Sequence, residues 1–301
     1  MMQNKKEILT ILDGGLGREL QAKGLSLAAP LWSANAFFDN RDILYHVHCD
    51  FIKAGASVIT TNSYALTSYH LDNAGKLEQH EQLLKKSYDV ARKAVKDSGQ
   101  NVMIAGSVPP LTESYRHDLL PQKEAMQKEY KFLLEQAVAN KADIILAETL
   151  TTSQEAEVIL EIYNNSQNIS RIPVWISFTV GQDGNLRSGE SLHQAASMAI
   201  DNGADAILIN CASVYDINNS IEILSDIINN TEINCDFGVY PNRFTKIRQG
   251  FKLSEGLNEI DHELTIDNFV EFAHNWQQQG VNIIGGCCGI GCDYIQAISQ
   301  K

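Results

Sequence analysis

Ala54-Gly55-Ala56-Ser57-Val58-Ile59-Thr60-Thr61-Asn62 reads as a helix end, a tight turn, an apolar strand and a polar residue. The same phrase returns as Asn140-Lys141-Ala142-Asp143-Ile144-Ile145-Leu146-Ala147-Glu148, as Asn202-Gly203-Ala204-Asp205-Ala206-Ile207-Leu208-Ile209-Asn210, and as Gln279-Gly280-Val281-Asn282-Ile283-Ile284-Gly285-Gly286-Cys287. Strands that are apolar on both faces belong to a parallel sheet covered on both sides. Shorter apolar runs lie between the copies, at 102–106, 174–178 and 237–240, and residues 8–12 open the series. Eight strands are expected.

The intervening segments carry helical spacing. Residues 42–54 set Leu44, Val47 and Phe51 on one face, and residues 79–97 set Leu84, Tyr88, Ala91 and Val95 on another. Further helices are expected near 122–140, 152–163, 191–202, 217–229, 266–279 and 292–300. Eight strands alternating with eight helices predict a single α/β domain over residues 1–301, a (βα)8 TIM barrel. An open doubly wound sheet would need a G-x-G-x-x-G turn after a strand, and Asp13-Gly14-Gly15-Leu16-Gly17-Arg18 misses that spacing.

Lysine and arginine total 24 against 37 aspartates and glutamates, a net charge of −13, which argues against a nucleic-acid partner. No run approaches the roughly 20 apolar residues of a membrane helix, and the first residues lack the pattern of a signal peptide. With six cysteines in a chain of this kind, thiol or metal chemistry in a reducing cytoplasm is a better expectation than a disulfide framework.

In such a barrel the active site forms at the C-terminal strand ends. Those ends read Asp13-Gly14-Gly15, Thr60-Thr61-Asn62, Ser107, Glu148-Thr149, Ser177, Asn210-Cys211, Tyr240-Pro241-Asn242 and Gly285-Gly286-Cys287-Cys288-Gly289. Cys211, Cys287 and Cys288 therefore meet at one mouth. Three thiolates with an open fourth position suit a catalytic Zn2+. Adjacent cysteines share a metal only if the backbone turns between them, which the neighbouring glycines permit. Inert packing is the alternative for the same three residues. Cys292 is a rival or a fourth ligand, although its expected place at a helix start faces it away. No histidine is assigned to the metal, and His70, His80 and His117 are expected in loops or solvent.

These strand ends, together with Leu31-Trp32-Ser33-Ala34, Ala105-Gly106-Ser107 and Trp175-Ile176-Ser177-Phe178, resemble the zinc-dependent homocysteine S-methyltransferases. The resemblance runs from about residue 8 to the end, in the family's order. It implies a (βα)8 barrel that moves a methyl group from a donor to the zinc-bound thiolate of homocysteine, giving methionine. It also implies roles at the mouth. Asp13 and Glu148 would hold the homocysteine ammonium, and the amides of Gly14 and Gly15 its carboxylate. Thr61 would touch the same amino-acid end, and Trp32 would line the donor site. For Asp13 the alternative is a turn cap, for Thr61 a strand-end hydrogen bond, and for Trp32 core packing.

The betaine-dependent members carry a further C-terminal extension, so a sulfonium donor, S-methylmethionine or S-adenosylmethionine, is expected here. Betaine is the alternative donor, and a zinc- or thiol-based redox sensor is the alternative outside catalysis. One stretch departs from the family. Where it usually reads Gly-Pro-Tyr-Gly after the third strand, this chain has Val108-Pro109-Pro110-Leu111-Thr112-Glu113-Ser114-Tyr115-Arg116. That loop helps form the donor side.

Overall fold

The computed structural model describes residues 9–39, 42–230, 235–245 and 258–300, with only the backbone for 228–230. Eight parallel strands run β1 (Thr10–Ile11), β2 (Val58–Thr60), β3 (Met103–Val108), β4 (Ile144–Leu150), β5 (Val174–Phe178), β6 (Ala206–Asn210), β7 (Asp236–Tyr240) and β8 (Ile283–Ile284). They form one sheet ordered β1-β8-β7-β6-β5-β4-β3-β2. A parallel bridge from Leu12 to Val58 joins its two edges. Ser57 N donates to Ile11 O (2.8 Å) and Asp13 N to Val58 O (3.0 Å) across that seam. The barrel is closed, as the strand count predicts. Ile8, read as the start of the first strand, lies outside the described residues.

Two-residue periodicity sorts each strand. Ile144, Leu146, Ala206, Leu208, Trp175 and Ile283 fill the barrel interior with Leu12, Val58, Ala105 and Tyr240. Ile145, Ala147, Ile207, Ile209 and Ile176 point outward into the layer under the helices. Gly238 is small because a Cβ there would lie 2.7 Å from Leu208 and 2.9 Å from Ile283.

Ten α-helices are described. Eight match the sequence reading: α2 (Ile43–Ala54), α4 (His80–Ser98), α5 (Lys123–Ala139), α6 (Ser153–Asn164), α7 (Leu192–Asp201), α8 (Val214–Asn230), α9 (Ile266–Gln278) and α10 (Cys292–Ser299). Two more, α1 (Leu16–Ala22) and α3 (Ser68–Asn73), sit in the loops after β1 and β2, beside a 3-10 stretch at Trp32–Phe38. They are too short for a periodic apolar pattern to announce them. Helix starts follow local chemistry. Thr152 and Glu155 form a reciprocal capping box before α6, and Thr265 caps α9.

The placement of two histidines corrects the sequence reading. His70 in α3 and His80 at the start of α4 are both buried. His70 packs edge-on against Trp32, with ring centroids 4.9 Å apart. The loops after β1 and β2 fold back over the barrel rim and cover it.

Candidate active site

A cavity of about 1130 Å³, its open mouth included, lies over the C-terminal strand ends. Asp13, Gly14, Gly15, Trp32, Thr61, Glu148, Cys211, Cys287 and Cys288 all line it. The cavity thus gathers the strand-end candidates together with Trp32, which the resemblance added; Cys292, the rival ligand, does not line it.

Among the described residues, Cys211, Cys287 and Cys288 are the one group whose ligand atoms converge as a metal site would need, all within 4.8 Å of one another. Cys211 follows β6 with φ of 52°, a left-handed backbone that turns its side chain toward the β8 loop. Cys287 N donates to Pro241 O (2.7 Å), and Arg243 N donates to Cys288 O (2.7 Å), so the β7 loop grips the cysteine turn. Gly289, with φ of 85°, lets the chain reverse after it. Cys292 opens α10 away from the cavity, with its amide on Glu19 Oε1 (3.2 Å). It is not part of the cluster.

The sulfurs of Cys211 and Cys287 lie 2.8 Å apart, and the Tyr115 hydroxyl donates to Cys211 Sγ (3.0 Å). One buried and two half-buried thiols this close cannot all ionise together without a cation. Cys288 is held low by hydrogen bonds from Cys211 and Cys287, whereas Cys287 is pushed up by hydrogen bonding to Cys211 and Cys288 and by burial. A soft dication bound to the three sulfurs would relieve that conflict. On this chemistry the residues fit zinc.

Two carboxyls share the cavity. Asp13, 4% exposed, accepts from Thr60 N (2.8 Å) through Oδ2 and from Thr60 Oγ1 (3.0 Å) through Oδ1. Burial pushes it up to about 7, against the pull of those hydrogen bonds. Glu148, 8% exposed, accepts from Ser107 Oγ and is pushed up to about 8, chiefly by burial. Neither acid faces a cation among the described ion pairs. Arg18 is the only basic side chain among the described residues lining the cavity, and its Nε–H is buried without an acceptor.

Glu148 keeps the inward parity of Ile144 and Leu146, and the strand becomes irregular just beside it. The pairing of β4 with β5 shifts between Ala147 and Leu150, and Thr149 there takes φ of 61°. Asn210 clamps this bulge. Its Oδ1 accepts from Thr149 N (2.9 Å) and Ser177 Oγ (2.8 Å), and its Nδ2 donates to Thr149 Oγ1 (2.8 Å).

Two expected contacts are already taken within the protein. The Gly15 amide donates to Ile290 O (2.8 Å), so it is not available to a substrate carboxylate. Gly15 is glycine for another reason, because a Cβ there would lie 2.5 Å from Cys287 O. Thr61 Oγ1 accepts from Ser107 N (3.1 Å) and pairs with Ser63 Oγ (2.8 Å), and the Thr61 amide donates to Ala105 O. The strand-end alternative holds for that hydroxyl. Sequence reasoning missed Arg18 and the position of Tyr115, and it placed Ser107 at a strand end without giving it a role. Parity along β3, which points Ala105 and hence Ser107 inward, was the available signal for Ser107.

Comparison with known proteins agrees with this site. Residues 10–301 match the homocysteine S-methyltransferase family. A homocysteine S-methyltransferase of Escherichia coli (strain K12) is 29% identical, the match covering 95% of this chain and 92% of that protein. A selenocysteine Se-methyltransferase of Brassica oleracea var. italica is 27% identical over 97% of this chain and 88% of its own length. The metallated form of the E. coli homocysteine methyltransferase MmuM superposes with a TM-score of 0.78 at 28% identity, over 99% of this chain and 97% of that one. With the family model matched from residue 10 to residue 301, the chain belongs to the homocysteine S-methyltransferases.

Proposed function

We propose that the protein methylates homocysteine to methionine with a sulfonium donor, on a Zn2+ held by Cys211, Cys287 and Cys288. The observation that carries this reading is the meeting, in one cavity, of three cysteine sulfurs and two buried carboxyls that face no cation. Bound there, Zn2+ would acidify the incoming thiol so that its sulfur is nucleophilic at neutral pH.

The chain's own groups account for the rest. Asp13 and Glu148 become anions when the substrate ammonium gives them a partner, which fixes the amino-acid end. Arg18 is the basic group lining the cavity; its Nη1 and Nη2 donate to Gln21 Oε1 and Asn258 O, which leaves its Nε–H for a carboxylate. The new bond joins the homocysteine sulfur to the methyl carbon. The donor's sulfur departs as a neutral thioether, so no side chain has to protonate it. Aromatic faces at the mouth, Trp32 and Tyr115, suit a cationic donor.

The test offers homocysteine with S-methylmethionine, S-adenosylmethionine or betaine, and measures methionine and bound metal. Methionine from a sulfonium donor, with about one zinc per chain, is the expected result. Methionine from betaine alone would replace the donor assignment. No transfer from any donor by metal-loaded protein would reject the function. No helix among the described residues is long and apolar enough to cross a membrane.

A further inference from the structure

A second cavity, about 800 Å³ with its opening, lies beside the first and shares Trp32 with it. Tyr69 and His70 of α3 line it, with Glu113 from the divergent loop after β3. The next residues of that loop, Ser114 and Tyr115, line the catalytic cavity instead. One loop and one tryptophan thus form walls of both spaces.

Two polar atoms in this second cavity lack partners. Glu113 is 7% exposed, and its Oε2 is buried with no hydrogen bond. His70 is 1% exposed, and its Nε2 is buried with none. His70 Nδ1 lies 2.8 Å from Thr67 Oγ1. Donation by that hydroxyl to Nδ1 leaves the ring proton on Nε2. Burial also holds this imidazole neutral, with its pKa lowered to about 4. The cavity then offers one carboxylate acceptor, one N–H donor and two aromatic walls. Unpartnered buried groups of opposite hydrogen-bonding sense call for a ligand with both a donor and an acceptor.

We infer that this cavity holds the α-amino-acid end of the methyl donor, its ammonium on Glu113 and its carboxylate on His70, while the sulfonium lies along Trp32 toward the cysteine cluster. The inference rests on the methyl-transfer reading above and adds the place where the donor's amino-acid end is held. Betaine carries no N–H for Glu113 to accept.

The test is calorimetric titration of the metal-loaded protein with S-methylmethionine, betaine and homocysteine in turn, on the parent, Glu113→Gln and Glu113→Asp. Glu113→Gln is expected to weaken S-methylmethionine at least tenfold and to leave homocysteine within twofold, with Glu113→Asp recovering part of the loss. Homocysteine affinity on the same sample reports that the variant is folded. Unchanged S-methylmethionine affinity in Glu113→Gln, or an equal loss for homocysteine, overturns the inference. So does a parent that binds betaine more tightly than S-methylmethionine. Absence of methyl transfer by the parent would instead reject the function itself, and the titration still reads the cavity.

Discussion

Glutamine in place of Glu148 keeps the side chain's shape and an oxygen for Ser107 Oγ while removing the charge. The free protein holds this carboxyl in its neutral form at pH 7, because burial lifts it from 4.5 to about 8. The folded pKa lies above the unfolded one, so the carboxyl's contribution to stability is complete below about pH 4.5 and is lost as pH rises toward about 8. At 1.36 kcal/mol per unit, the loss reaches roughly 3 kcal/mol by pH 7. The glutamine variant escapes it. Its melting temperature without ligand should equal or exceed the parent's, with the gap widening from about pH 5 to about pH 8.

Binding should move the other way. A hydrogen bond to a charged group contributes about 1.5–3 kcal/mol. Near pH 7 the parent must also release the Glu148 proton, which takes about 1.4 kcal/mol for one unit. Glu148→Gln should therefore weaken homocysteine by up to about tenfold near pH 7 and by about one to two decades near pH 8.5. Calorimetry on metal-loaded protein and melting curves on ligand-free protein supply both numbers. Homocysteine bound equally well at every pH would refute the ammonium role. A variant that melts well below the parent would make Glu148 a structural group.

Serine at Cys211, Cys287 or Cys288 should lower bound metal and activity together, whereas Cys292→Ser should keep both, as read by metal analysis. Gly15→Ala should disturb the cysteine turn, since the new Cβ would fall 2.5 Å from Cys287 O, and metal affinity should drop at least tenfold in a chelator competition. His48 is buried with both ring nitrogens unpartnered, and burial lowers it from 6.5 to about 4. Its folded pKa lies below the unfolded one, so the parent should lose roughly 3 kcal/mol between about pH 6.5 and pH 4. His48→Leu should remove that part of the acid sensitivity in denaturant melts.

The barrel was legible because its strands are apolar on both faces and its helices are long enough to repeat. The mouth was legible because alternation along a strand carries past the core: Ile144 and Leu146 point inward, and so does Glu148. What could not be read is what happens where alternation breaks. Nothing in Glu148-Thr149-Leu150 announces a bulge or a left-handed threonine. The residue that holds it, Asn210, lies 61 positions away and meets it only because β4 and β6 converge at the rim. The same holds for Gly15, whose glycine looked like a ligand-binding turn and proves to be a contact with a loop 272 residues later. Long-range steric needs leave the right residue type in the sequence without its reason.

The distribution of unsatisfied groups separates two kinds of polar residue at this rim. Asn210, Thr61 and Ser63 have their side-chain oxygens engaged within the barrel, and Asn210 Nδ2 is engaged as well. They hold the rim's shape, including the strained turn at Thr149. Asp13 and Glu148 are buried carboxyls that face no cation, Cys211, Cys287 and Cys288 crowd one another, and Arg18 Nε and Tyr240 Oη are buried donors without acceptors. Each of these lines the cavity. A folded chain tolerates such groups only where the surrounding packing supplies the missing stability, here the barrel interior and the helix layer. Substitutions that neutralise the second set should therefore stabilise the free protein and weaken its ligands, whereas substitutions in the first set should damage both. Opposed shifts in melting temperature and affinity thus distinguish a binding group at this mouth from a scaffold group.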